Sequence, residues 1–142
     1  MRYEGDTRYG GDDFVLTRPK LTPAQVGQVQ TGLAEDIAGE VTEPQLTANR
    51  NDFPLNPGFL LHRFTTDGVA RIITGFAGGS AGRVFYFCNA GGGVNITLNN
   101  QDAASLAQNR IITGTGGNVA VTPDQLVYLV YDNFTQRWRL RA

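Results

Sequence analysis

An all-β fold is the expectation from three features of this 142-residue sequence. Eighteen glycines are too many for a helical protein, since glycine disfavours helix interiors, but they suit tight turns between many short strands. Apolar, β-prone runs bounded by turn residues recur at the roughly 8–12-residue spacing of sandwich strands. The pentapeptide Arg-Ile-Ile-Thr-Gly occurs twice, at residues 71–75 and 110–114, each copy leading through a glycine-rich loop into a further apolar strand. Together these predict an antiparallel β-sandwich or jelly roll over residues 45–142. A mostly extended N-terminal arm, residues 1–44, carrying one short helix, is expected to precede it.

The arm begins with a polar stretch to Pro19 that holds too little apolar surface to fold alone. Its aromatics Tyr3, Tyr9 and Phe14 are candidate anchors on a neighbouring surface. Thr22 can cap a helix, Pro23 suits its first position and Gln25 completes a capping box. Val26, Val29, Leu33 and Ile37 then follow at helical spacing, a thin apolar stripe that needs a partner to cover it. Gly27 and Gly32 weaken this helix, which ends near Gly39.

Past the break at Glu43-Pro44 the chain becomes strand-like. Residues 46–53 read as a first strand or an extended lead-in, and Asn56-Pro57-Gly58 is turn chemistry. Residues 60–65 predict a strand and Asp67-Gly68 a hairpin-type turn into Ile72 and Ile73. Residues 75–82 read as a flexible loop. The almost wholly apolar run 84–88 predicts a strand covered on both faces. Residues 94–98 alternate, with Val94, Ile96 and Leu98 on one side. Residues 99–109 form a longer connection between sheets, followed by short strands at 111–113 and 119–121 and longer ones at 126–131 and 135–141. In the last, Trp138 and Leu140 face one way and Arg137, Arg139 and Arg141 the other.

Charge and composition exclude several function classes. The net charge of −1 gives the whole molecule no pull on nucleic acid or on anionic membrane. The balance is uneven: residues 1–56 hold nine acidic against five basic side chains, and residues 57–142 hold four against seven. The lone Cys88 rules out an internal disulfide, and its apolar strand suits a buried, inert thiol. No apolar run approaches the roughly 20 residues of a membrane span, and the N-terminus lacks a signal-peptide core, so synthesis in a cytosol-like compartment is expected.

No catalytic constellation is legible. Gly78-Gly79-Ser80-Ala81-Gly82 matches the G-x-S-x-G nucleophile elbow, but that motif needs a helix after the serine, and here a strand follows. The single histidine, His62, precedes the serine instead of following it, and has no metal-ligand spacing around it. Asp52, Asp67, Asp102, Asp124 and Asp132 mostly occupy turn positions. The glycine clusters lack the lysine of a phosphate loop. The arginines of the last strand read as a solvated face or as partners for a neighbouring subunit, without an accompanying aromatic platform. No catalytic residue, metal or cofactor is expected.

Residues 46–142 resemble a module of tailed-bacteriophage virion structural proteins. The resemblance rests on residues 73–83 (ITG-x-AGG-x-x-GR), 84–91 (an apolar strand ending N-x-G), 95–98 (NITL), 107–111 (A-x-NRI), 121–132 and the RWR at 137–139. It implies small β-sandwiches that assemble as homotrimers and serve as capsid decoration (cement or head-fibre) proteins or tail tips. It carries no catalytic positions over. The short arm favours a protein fixed directly to a shell. The implied partner is therefore the major capsid protein, gripped by the arm, and the implied location is the virion. The alternative is a tail or fibre module that recognises a host surface glycan through loops such as 75–82.

Overall fold

The structure, a computed structural model, describes residues 39–142. The predicted helix and the candidate anchors Tyr3, Tyr9, Phe14, Val26, Val29, Leu33 and Ile37 lie outside the described residues. Over the described residues the chain is all-β, with a single 3₁₀ turn, Ala107–Asn109, and no α-helix.

The strands are not laid down as antiparallel hairpin layers. The chain winds in successive turns, and each turn places its strands parallel to the same segments of the turn before. The first turn holds β1 (Gly39–Thr42) and β2 (Phe53–Pro54). The second holds β3 (Phe59–Thr65), β4 (Arg71–Ile73) and β5 (Phe76–Ala77). The third holds β6 (Val84–Gly91) and β7 (Ile96–Leu98). Parallel ladders then run β1 to β3 to β6 on one side, Arg50 to β4 to β7 on the next, and β2 to β5 on the third. This mixed, coil-like path is that of a β-solenoid and departs from the antiparallel sandwich or jelly roll the sequence suggests.

The reason lies at the corners. Asp67-Gly68, which reads as a hairpin turn, joins β3 to a strand in a different sheet. Gly68 at φ +86° turns the chain off the plane of β3, and Gly92 and Gly93 at φ +91° and +66° do the same one turn later, after β6. A left-handed backbone suits glycine, and there it bends the chain round a corner instead of doubling it back.

The parallel stack ends in reversed strands. The 3₁₀ turn leads into β8 (Ile111–Ile112). β9 (Val119–Val121) then runs antiparallel to β7, and β10 (Leu126–Asp132) antiparallel to β6. β11 (Arg137–Arg141) closes a hairpin on β10 and takes β8 as its parallel outer neighbour. The result is a six-stranded sheet in the order β1-β3-β6-β10-β11-β8, beside smaller sheets β4-β7-β9 and β2-β5.

The core is an aromatic column between these sides. Phe53 faces Phe76 across the β2–β5 ladder, with ring centroids 6.3 Å apart, and Phe64 stacks on Phe87 at 4.2 Å. Phe85 links Phe76 to Trp138, at 5.0 and 5.1 Å, and the indole N–H donates to the Phe76 carbonyl at 2.8 Å. Ile73 and Leu98 stack in register beside them, both fully buried. Each such side chain contributes about 1.5–3 kcal/mol on removal from water, so the column is the main stabilising feature of the coil.

The Arg-Ile-Ile-Thr-Gly repeat is not the structural repeat. In the first copy Ile73 is buried and Ile72 half-exposed; in the second Ile111 is buried and Ile112 half-exposed. The copies lie in different sheets and meet at an antiparallel bridge, Gly75 to Arg110.

Candidate docking face

The outer face of the six-stranded sheet follows from alternation. Along β10, Val127, Leu129 and Tyr131 turn inward, while Leu126, Tyr128 and Val130 turn outward. Along β11, Trp138 and Leu140 are buried and Arg139 and Arg141 exposed, as the sequence predicts. Along β6, Phe85, Phe87 and Asn89 are buried, whereas Tyr86 is exposed and Val84 and Cys88 are half-buried. The expectation that this strand is covered on both faces therefore holds for its inner face only, among the described residues. Cys88 stands on the outer face as a free, half-buried thiol.

Register assembles these outward residues into rows. Leu61 faces Tyr86, Tyr86 faces Tyr128, and Tyr128 faces Arg141. The next row runs Val84, Val130, Arg139, Ile112. The Tyr86 and Tyr128 rings lie 5.9 Å apart, tilted by 57°. With exposures of 37% for Tyr86, 42% for Tyr128 and 51% for Leu126, this is an apolar, aromatic strip open to solvent. Single exposed apolar residues are ordinary, but a contiguous patch with arginines beside it has the composition of an interface centre. Neighbouring strands thus bring two tilted, unstacked tyrosine rings beside the arginine face.

Arg139 donates through Nε to Asp132 at 2.8 Å, an exposed pair that holds the Asp132 carboxyl below the usual range. Arg141 has no ion pair among the described residues. Beside the rows lies an open groove of about 380 Å³, lined by Ile112, Gly114, Tyr128, Val130, Arg139 and Arg141.

The motifs weighed for catalysis have structural placements. Ser80 is exposed on the turn between β5 and β6, where its carbonyl accepts from the Arg83 N–H at 2.9 Å. Residues 75–82 are only partly a loop, because Phe76–Ala77 is β5 and Phe76 is fully buried. Arg83 straps the remainder, donating to the carbonyls of Gly78 and Asn56 at 2.8 and 3.0 Å. Burial pushes its guanidinium pKa down, and the Glu43 carboxylate partly offsets this.

His62 is sealed from solvent, with Nδ1 2.5 Å from Glu43 Oε2 and Nε2 3.1 Å from the Phe59 carbonyl. Glu43 is itself buried and accepts from Asn56 Nδ2 at 3.2 Å. A histidine at 0% exposure cannot reach a substrate, so the pair is part of the interior. Asp52 is likewise structural: Oδ1 accepts from the Leu106 N–H and from Asn109 Nδ2 at 2.9 and 2.8 Å, tying the first turn to the 99–109 connection. No cluster of three or more His, Cys, Asp or Glu placed to hold a metal occurs among the described residues. No helix among them is long and apolar enough to cross a membrane. In comparisons with protein families, curated proteins and solved structures, nothing matches this chain.

Proposed function

We propose that this chain is a non-enzymatic virion structural protein, a capsid decoration protein that adds to a shell of major capsid protein. The observation that carries the docking part of this reading is the Leu61–Tyr86–Tyr128–Arg141 row, an exposed aromatic and arginine strip on a six-stranded sheet. Tyrosine and arginine are enriched among the residues that carry binding energy at protein interfaces, tyrosine because its rigid ring brings large contact area at low entropic cost and arginine because its planar fork makes several directed hydrogen bonds. The phage assignment itself rests on the motif resemblance. In this reading the segment before β1 grips the shell and the β-domain, β1 included, presents its face to neighbouring subunits. Assembly as a homotrimer would make three weak contacts act as one strong attachment.

The test is co-sedimentation of the full chain with empty capsids, beside a chain lacking residues 1–20. Pelleting of the full chain and loss of pelleting by the still-folded shorter chain is the expected result. Failure of the full chain to pellet overturns the reading. Binding to host cells or their surface glycan instead would favour the alternative of a receptor-binding tail module, for which the exposed Tyr86–Tyr128 pair offers a stacking surface.

A further inference from the structure

We infer that the groove beside β11 is a binding site for an acidic, extended peptide segment of a partner protein, an apolar side chain on its floor and flanking carboxylates on Arg139 and Arg141. This gives the chemistry of the partner under the docking reading, on which it rests. Four observations converge. Ile112 and Val130 make the floor apolar, and the space of about 380 Å³ is at the small end of ligand sites, enough for one or two side chains. Arg139 and Arg141 project from alternate positions of one strand, so both stand on the groove side. Arg141 is without an ion pair among the described residues, and a guanidinium fork matches a carboxylate in a bidentate fashion. The ladder between β11 and β8 stops at Arg139 opposite Ile112, while β11 continues with Leu140 and Arg141 along β10. The chain departs there through Gly114 at φ +81°, so beyond Arg139 the last residues of β11 have no strand paired on that side among the described residues, and an extended peptide can lie along it.

Other occupants fit less well. A sugar would bring many hydroxyls to a lining whose only side-chain hydroxyl is that of Tyr128. A nucleic acid strand would meet two arginines on a protein of net charge −1, and its backbone would gain nothing from the apolar floor. A second copy docking the same face would set arginine against arginine. Carboxylates interleaved with apolar side chains satisfy both halves of the groove.

The probe is a fluorescein-labelled peptide alternating glutamate with leucine and phenylalanine, titrated into the full chain and followed by anisotropy. Two twins serve as controls, one with lysine for glutamate and one with serine for the apolar residues; a twelve-nucleotide oligothymidine is the polyanion control. Saturable binding of the first peptide is expected, weakened about tenfold or more in each twin and in Arg141→Glu or Val130→Asp protein. Arg141→Lys should lose less than Arg141→Glu, and unchanged tryptophan emission would verify that each variant is folded. No binding, equal binding of the serine twin or the oligothymidine, or equal binding by folded Arg141→Glu protein would each overturn the inference. Capsid pelleting run in parallel separates the two readings: pelleting without peptide binding removes the groove assignment and leaves the decoration proposal standing. Peptide binding at the groove without pelleting does the reverse.

Discussion

At the scale of single residues, the pair His62–Glu43 sets the terms on which charge is tolerated inside this coil. Both imidazole nitrogens meet oxygens, Glu43 Oε2 and the Phe59 carbonyl, and the second carboxylate oxygen is met by Asn56. Each polar atom of the pair thus has a partner inside the coil. The ring also packs edge-on against Phe85, at 5.2 Å. Removing one partner strands the other in a low-dielectric interior, which costs about 3–5 kcal/mol for a buried ionic pair. Replacing both with apolar side chains removes the desolvation penalty along with the attraction. His62→Phe and Glu43→Leu should each lower the urea midpoint strongly, and the double variant should recover most of the loss. If the double variant is as unstable as the two losses added together, the sites are independent and the pairing account is wrong.

At the scale of elements, β11 joins the hairpin to the aromatic column through the chain's single tryptophan. Trp138 is fully buried, packs edge-on against Phe76, Phe85 and Tyr131, and bonds the Phe76 carbonyl. Its emission should be blue-shifted when folded and move red in one step that coincides with loss of the β signal in circular dichroism. Trp138→Phe should cost about 1–3 kcal/mol by leaving that carbonyl unpaired, and Trp138→Ala about 3–5 kcal/mol. Native emission at the position of free indole would place Trp138 in solvent and refute the packing. This strand was legible in the sequence because alternation alone sorts Trp138 and Leu140 from Arg139 and Arg141. β7 was legible for the same reason, and β3 and β10 as apolar, β-prone runs between turn residues. Alternation fixes which face a side chain takes but not which strand lies beside it. Phe53 pairs with Phe76, and Arg63 with Cys88, because of corners whose glycines read equally well as hairpin turns. The candidate site was half-legible on the same grounds. The arginine face was read from one strand, while Tyr86 and Tyr128 reach it from two others. Glu43, the partner of His62, fell in a segment whose composition suggested an arm.

At the scale of the whole molecule, the coil is fastened at the turns and connections between its strands, and three of those fastenings are carboxylates. Asp67 is held by a bidentate bond from Arg71 at the corner between β3 and β4. Asp102 accepts from Asn99 Nδ2 at 2.7 Å and from the Ala104 N–H at 2.9 Å in the long connection after β7. Asp132 accepts from Arg139 and from the Phe134 N–H in the β10–β11 turn. In each case hydrogen bonds favour the ionised form: chiefly Arg71 for Asp67, Asn99 for Asp102 and Arg139 for Asp132, and all three acids sit below their ordinary range. Below the folded-state values both states are protonated and the contribution is gone; above the unfolded value of about 3.9 it is fully present. Stability should therefore be flat with respect to these groups from about pH 7 to pH 5 and decline as the pH falls through about 4 and below. Asp67 is exposed and Asp102 and Asp132 are half-buried at the surface, all within reach of solvent screening, so the decline should be gentle and should shrink in high salt for Asp67 and Asp132, whose main partners are charged. Asp102 is held chiefly by neutral donors, so its share should persist in salt. Urea midpoints measured across this range at low and high salt, on the native chain and on Asp102→Asn protein, test this directly. The variant should start less stable and show a shallower acid limb. An acid limb of equal depth in both would mean that Asp102 carries no share of the pH dependence.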